Sequence, residues 1–370
     1  MADRFTLCVP TKNRPEFIAR LFNYYVQTGY RHWIFIGDAS DPGSAQRNRD
    51  IVESLKGKLQ VRYFEQGGFS VVESLEHLSG AAATPYCGWV CDDDFLCTPG
   101  IERCIQFMES AGGGYAAAHG EGVLFQLDEP GPYGTVADVR PYPPADLEQA
   151  TAGERLRTHL NRGSPSFHMA VRRTGLFNEM FKGFGRMRGA RQGFIFDELI
   201  LSSLAAIQGK VKVLDCLYLV RQAHEGIYRQ VNGYDWITDP DWHPSFLIFR
   251  DLIAESLSKK DRIPREKADR VVKEAFWFYL AELLASSRRK QQASAGRHGT
   301  SWIRAAAKNL PGLKSAWRWL RLKEAAPFLV SRSWLRIRES SPLYQADFAP
   351  VVRAVTQLPP EPQMVEAAHG

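Results

Sequence analysis

The chain has 370 residues, 44% hydrophobic and 24% charged, with a formal net charge of +6. That length can bury one full-sized core and leaves room for an extension, and the balance of apolar and charged residues excludes both a disordered chain and a disulfide-stapled miniprotein. No apolar run reaches about 18 residues and the first strand-like segment starts almost at Met1, so neither a membrane span nor a secretory leader is expected, and the expected location is the cytoplasm.

The elements alternate. Phe5 to Val9 reads as a strand, followed by the loop Pro10-Thr11-Lys12-Asn13-Arg14-Pro15 and a helix with Phe17, Ile18, Leu21, Phe22 and Tyr25 at helical spacing. Trp33 to Ile36 is a second strand running into Gly37-Asp38-Ala39-Ser40, with a helix to about Leu55. Val61 to Phe64, a helix over Val71 to Leu78, and a strand over Tyr86 to Cys91 follow. Short strands alternating with helices predict an α/β fold, a mostly parallel, helix-covered sheet with its ligands at the carboxyl ends of the strands.

Gly112 to Gly163 is richer in Gly and Pro, with two expected strands, Tyr115 to His119 and Val123 to Leu127, in what reads as an acceptor-side insertion. Phe167 to Val171 is expected as a strand, Asp197 to Ile207 as a helix and Val211 to Leu214 as the last strand. Beyond it the pattern is helical. The division expected is a catalytic domain over 1–230, a helical extension over 231–290, a basic, Trp-containing helical segment over 291–345, and a disordered tail over 346–370. Ser286 to Thr300 reads as a polar, basic linker.

Charge is distributed unevenly. Residues 288–338 hold 13 Lys and Arg against one acid, Glu324, together with Trp302, Trp317, Trp319 and Trp334. Tryptophans interleaved with arginines suit an anionic membrane surface, which would make the protein peripheral on the inner face of the membrane; they equally suit a subdomain packed on the catalytic domain with its arginines solvated. No recognised nucleic-acid-binding module is present. The six cysteines lie in apolar or strand-like runs, and Cys87, Cys91, Cys97 and Cys104 lack the close Cys pair of a zinc site.

The strongest chemical signal is Asp92-Asp93-Asp94 at the end of an apolar strand. Carboxylates so close repel one another and resist desolvation unless a cation offsets them. A divalent ion is one such partner, because hard ions such as Mg²⁺ or Mn²⁺ take few protein oxygens and complete their shell with phosphate and water. A solvated acidic turn is the plainer reading.

Three elements in order, Pro10-Thr11-Lys12-Asn13-Arg14, Asp38-Ala39-Ser40, and Asp92-Asp93-Asp94 followed by Pro99-Gly100, resemble the GT-A fold glycosyltransferases, particularly family 2, over about residues 4–229. The resemblance implies an inverting transfer from a nucleotide-diphosphate sugar, UDP-sugars favoured, to a hydroxyl on a glycan or a lipid-linked acceptor, with Mn²⁺ or Mg²⁺ as cofactor. By position, Pro10, Thr11 and Arg14 would line the nucleotide pocket, Asp38 would hold the base or ribose, Asp92 would face ribose and metal with Asp93 beside it, and Asp94 would ligate the metal. The family's base falls at Asp197-Glu198, where the two acids stand in reversed order, so either could accept the acceptor's proton; acids at a helix start are also stabilised by its dipole without any catalytic role. His224 would be a further metal contact and Arg229 a diphosphate contact. Two alternatives remain at this level: a nucleotidyltransferase on a related α/β fold, and a silent nucleotide-sugar-binding, membrane-associated protein.

Overall fold

The structure, a computed structural model, describes residues 4–142, 144, 146–162, 166–181, 193–224, 233–298 and 342–357. β1 (Phe5–Thr11), β2 (Trp33–Asp38), β3 (Gln60–Glu65) and β4 (Tyr86–Trp89) form a parallel block in the order β3-β2-β1-β4. β1 lies at its centre and is buried along its whole length, so its sequence is apolar without alternation. The connecting helices α1 (Pro15–Gln27), α2 (Pro42–Ser54) and α3 (Val71–Ala81) start from side-chain devices visible in the sequence. Pro15 and Pro42 stand in first turns, and Ser70 and Glu73 close a capping box at α3.

Past β4 the sheet becomes mixed. The short β8 (Val171–Arg173) is antiparallel to β4 and to β6 (Tyr115–Leu127), which pairs parallel with β9 (Lys210–Gln222). β5 (Phe95–Leu96) closes that edge against β9, and β7 (Val136–Pro141) pairs with the far half of β6. The nine strands thus form one mostly parallel sheet with helices against it, an α/β fold as expected. The two strands expected within 115–127 are one: a Cβ on Gly120 would stand 2.4 Å from the Cys216 carbonyl oxygen and one on Gly122 2.4 Å from that of Tyr142. These glycines permit close backbone approach at shifts of register and make no turn. The segment before Val171 is a 3₁₀ turn, Ser166–Met169, rather than strand.

The remaining helices are α4 (Thr98–Ser110), α5 (Ala152–Arg162), α6 (Thr174–Phe181), α7 (Gly193–Gln208), α8 (Gly233–Ile237), α9 (Trp242–Asp261), α10 (Arg265–His298) and α11 (Pro342–Thr356). α9 and α10 fold back on each other through Arg262, which takes a left-handed conformation (φ 53°), and ion pairs Arg250–Asp269 and Arg265–Asp251 join them. The pair packs on α5 and α7. Phe196, at the start of α7, stacks on Phe276 and lies against Trp236, Trp242 and Phe249, which fixes the end of the helix that carries Asp197 and Glu198.

Two expectations are corrected here. The polar stretch from Ser286 continues α10 as far as His298, because Arg, Lys, Gln and Ala are good helix formers whatever their polarity. The tail expected to be disordered from 346 is helical to Thr356, and α11 buries Tyr344, Phe348, Val351, Ala354 and Val355, a helical stripe, on the sheet side. Residues 299–341, which hold most of the basic tryptophan segment, lie outside the described residues.

Candidate active site

A cleft of about 360 Å³ opens above the carboxyl ends of β1, β2 and β4. Pro10, Thr11, Lys12 and Arg14 form one wall, Asp92 and Asp93 the floor, and Phe69 to Val71 at the start of α3 the opposite lip. The loops after β1 and β2 are locked together by Asn13, whose positive φ of 57° suits an Asn. Its side chain donates to Asp41 Oδ2 (2.8 Å) and accepts from the Asp41 N–H (2.8 Å), while its own N–H donates to Ser40 Oγ (2.7 Å).

The triplet Asp92-Asp93-Asp94 spreads its carboxylates in different directions. Asp92 accepts from Thr11 Oγ1 and from Arg14 Nη1, both at 2.7 Å. Asp93 accepts from Arg14 Nη2 at 3.0 Å, with His224 Nε2 3.2 Å away on the same oxygen. Asp94 turns away from the cleft, taking Arg221 Nε (2.9 Å) and the Gln222 backbone N–H (2.9 Å). Arg20, fully buried on α1, donates to the backbone carbonyl of Asp93 (2.6 Å) and to Gln222 Oε1 (2.5 Å), tying the turn to the end of β9. Much of the neutralisation that the triplet demands is therefore supplied by Arg14, Arg20 and Arg221. Burial raises the Asp92 carboxyl to about 7, against the pull of Arg14 and with help from Asp93. Burial likewise raises Asp94 despite Arg221. Burial also acts upward on Asp93, but His224 and Arg14 outweigh it and hold this carboxyl below its usual range.

The donor set fits a hard divalent ion. Carboxylate oxygens of Asp93 and Asp94 and the Cys91 sulfur lie within 4.8 Å of one another. Burial pushes the Cys91 thiol well up, which keeps it neutral and a poor ligand for Mg²⁺ or Mn²⁺, so the carboxylates are the candidates. His224 Nε2, near Asp93 but not aligned for a directional bond, is a buried nitrogen with no hydrogen-bond partner among the described residues.

Asp38 is buried beneath the cleft. Its Oδ1 accepts from the Ser40 N–H (2.8 Å), and its Oδ2 from Asn48 Nδ2 (2.8 Å) and the Tyr63 hydroxyl (2.5 Å). Nearby, Gln66 Oε1 and Ser74 Oγ are buried polar atoms without hydrogen-bond partners among the described residues, both close to where a Gly37 side chain would stand. Asp197 and Glu198 sit in the first turns of α7. Burial raises both carboxyls, that of Asp197 to about 6. Of the two, Glu198 also feels Arg221 and Asp94, whereas among the described residues the charged group acting on Asp197 is Glu198. Arg221 bridges the two centres, since its Nη1 donates to the Tyr142 hydroxyl (3.2 Å), which itself feels the Glu198 charge.

The sequence-based set is thus brought together, with Asp38 set below the cleft and Asp197 apart from the triplet; Arg229 lies outside the described residues. Arg20, Tyr142, Gln222, Phe69, Gln66 and Ser74 were not anticipated. Arg20 had a usable signal, because it lies one turn before Tyr24 on a helix whose buried arc is wide. Tyr142 and Gln222 had none.

No protein-family model matches the chain, and no curated protein does. Among solved structures the chain is similar to S. aureus TarS 1-349 in complex with UDP-GlcNAc, at 15% identity and a TM-score of 0.46, covering 95% of this chain and 89% of that one. It is similar to the mannosyltransferase PcManGT from Pyrobaculum calidifontis in complex with GDP-Man and Mn²⁺, at 14% identity and a TM-score of 0.41, covering 96% and 87%. Against the longer S. aureus TarS structure, at 16% identity and a TM-score of 0.43, the match covers 74% of this chain and 43% of that one.

Proposed function

We propose that the protein is an inverting glycosyltransferase that moves a sugar from a nucleotide-diphosphate donor, UDP-sugars favoured, to a hydroxyl of a glycan or lipid-linked acceptor. The observation that supports this most is the convergence of the Thr11 and Arg14 wall with Asp92 and Asp93 at the cleft floor, while Glu198, 104 residues beyond Asp94, feels the charges of Asp94 and Arg221. Chemical work is assigned to residues 1–230, with 231–290 as its helical support and 291–345 as a basic segment.

In this reading the nucleotide lies in the cleft between the β1 loop and the lip of α3. Phe69, 40% exposed, offers a face for the base, and Gln66 Oε1 and Ser74 Oγ its polar edge, because Asp38 already accepts three hydrogen bonds. Arg14 faces the diphosphate, with Arg229 assigned the same task. Asp94, Asp93 and His224 would hold Mn²⁺ or Mg²⁺, which when bound offsets charge on the nucleotide-diphosphate leaving group. Glu198 takes the acceptor hydroxyl's proton as that oxygen attacks the anomeric carbon from the side opposite the diphosphate, so the configuration inverts. Its raised pKa, from burial, suits a base working near neutral pH.

Thermal-shift and calorimetric titration with UDP-, GDP-, CDP- and dTDP-sugars, each with and without Mn²⁺, tests the reading on the wild type and on Asp94→Asn. The isosteric amide keeps one acceptor oxygen, for either Arg221 or Gln222, while removing the charge. One nucleotide that binds only with the metal, and whose metal dependence is lost in the variant, is the expected result; no nucleotide binding under either condition overturns the proposal.

A further inference from the structure

Trp277 and Phe278, adjacent in the middle of α10, are 54% and 61% exposed. Their neighbour Phe276 explains why an aromatic run stands here: it is buried and stacks within the core against Phe246 and Phe249. Trp277 reaches that cluster only at its margin, its ring 6.5 Å from those of Phe246 and Phe276, and on α9 the residue after Phe246, Leu247, is exposed as well. Exposed aromatics side by side lose free energy in water, and a helix that only had to cover α5 and α9 would carry polar residues there.

The rest of this outer face is charged, with cations toward both ends. Residues seven or eleven apart on an α-helix return to the same face. Arg270 lies seven before Trp277 and Lys267 eleven before Phe278, while Arg288 and Arg289 lie eleven after each, and all four are exposed. Three acids share the face: Glu266, exposed and eleven before Trp277, and Glu274 and Glu282, which pair with Arg157 (3.0 Å) and Arg289 (3.6 Å). The aromatic pair thus stands in a stripe roughly 27 Å long, flanked by cations at both ends. The sequence that begins at Arg288 carries 13 Lys and Arg against one acid as far as residue 338.

We propose that this face of α10 seats the protein on an anionic phospholipid surface, Trp277 and Phe278 entering the interface while Lys267, Arg270, Arg288 and Arg289 pair with lipid phosphates. An aromatic wedge among cations matches a bilayer interface, where amphipathic rings sit at headgroup depth and each nearby cation gains from a negative surface. A polyanion without an apolar phase would reward the cations and leave the two rings in water. Tyr279, next to Phe278 on α10, feels the charge of Glu198 on α7, so the seated face shares one helical turn with a residue near the candidate base. A lipid-linked acceptor follows from this placement, and that consequence alone rests on the transferase reading.

Sedimentation of the full chain with vesicles of phosphatidylglycerol mixed with phosphatidylcholine, against pure phosphatidylcholine, tests the seat without any nucleotide. The wild type is expected to bind the anionic vesicles and to leave the neutral ones. Trp277→Ser with Phe278→Ser should weaken that binding about tenfold or more. Arg288→Glu with Arg289→Glu should weaken it further at low salt than at high salt. Unchanged thermal unfolding of both variants certifies the fold. Anionic-vesicle binding that is equal in the wild type and the aromatic variant, or absent from the wild type, overturns the proposal, as does a concentration-dependent dimer in solution that the aromatic variant abolishes. Nucleotide binding is read separately, so failure of the transferase reading would leave this result standing.

Discussion

Burial raises the carboxyl groups of both Asp197 and Glu198, yet only Glu198 shares the field of Arg221 and Asp94. Glu198→Gln should therefore lower kcat by about 10²- to 10⁴-fold while nucleotide affinity stays nearly unchanged. Asp197→Asn should keep most of the activity, and steady-state kinetics of the two variants separate the roles. The same comparison has a stability arm. Asp197 loses its proton near 3.8 in the unfolded chain and at about 6 in the folded one, since burial opposes its charge. Below the first value both states are protonated and nothing is contributed; between the two the folded state holds the extra proton, so stability falls as pH rises; above the second the penalty is complete. Asp197→Asn should thus gain about 1 kcal/mol at pH 7, a figure already discounted for partial exposure, and nothing below about pH 4, as read by thermal unfolding across pH. The acid pair could be found in the sequence because it opens an apolar helix. Which acid faces the triplet depends on Arg221 and Tyr142, which no local pattern links to them.

Among the elements, α4 shows that residues which mark a family resemblance can serve packing. Pro99-Gly100 follows the aspartates, and a Cβ on Gly100 would stand 2.4 Å from the Leu217 carbonyl oxygen and 3.0 Å from the Tyr218 Cα, both backbone atoms of β9. Gly100→Ala should cost about 1–3 kcal/mol by pushing α4 off β9, measurable as a lower midpoint in urea at unchanged slope. Because β9 ends in Arg221 and Gln222, the partners of Asp94, the same change should loosen the triplet. Strand and helix types over the first 90 residues were legible, since apolar strands and capped helices carry their own signals. β5 and β7 were not. Two residues of strand have no period, and β7 is held by its pairing with β6.

Across the whole molecule, α11 brings residues near the carboxyl end onto the sheet at α1 and β9, with the Gly134 N–H donating to the Val355 carbonyl (2.9 Å) and the Tyr344 hydroxyl to Asp215 (2.7 Å). Phe348 is buried at this contact, so Phe348→Ala should lower stability by about 3–4 kcal/mol while nucleotide affinity is retained, a pair of results that calorimetry and denaturant titration check together. The apolar stripe of α11 could be read as a helix, but composition had pointed to a disordered tail, because the pattern alone carries no information about the surface waiting to cover it. By itself the sequence determined the α/β class, the central parallel strands, the β1 loop with Thr11 and Arg14, and the aspartate triplet, all set by runs of a few residues whose burial and turn chemistry are local. Only the tertiary structure decided that Arg20 and Arg221 share the triplet's charge, that Asp38 is fully engaged by its own fold, and that Glu198 rather than Asp197 feels the charges of Asp94 and Arg221. Those outcomes depend on contacts between residues about seventy or more positions apart, or on which side of a buried carboxylate its partners arrive, and the chain fixes both only when it packs.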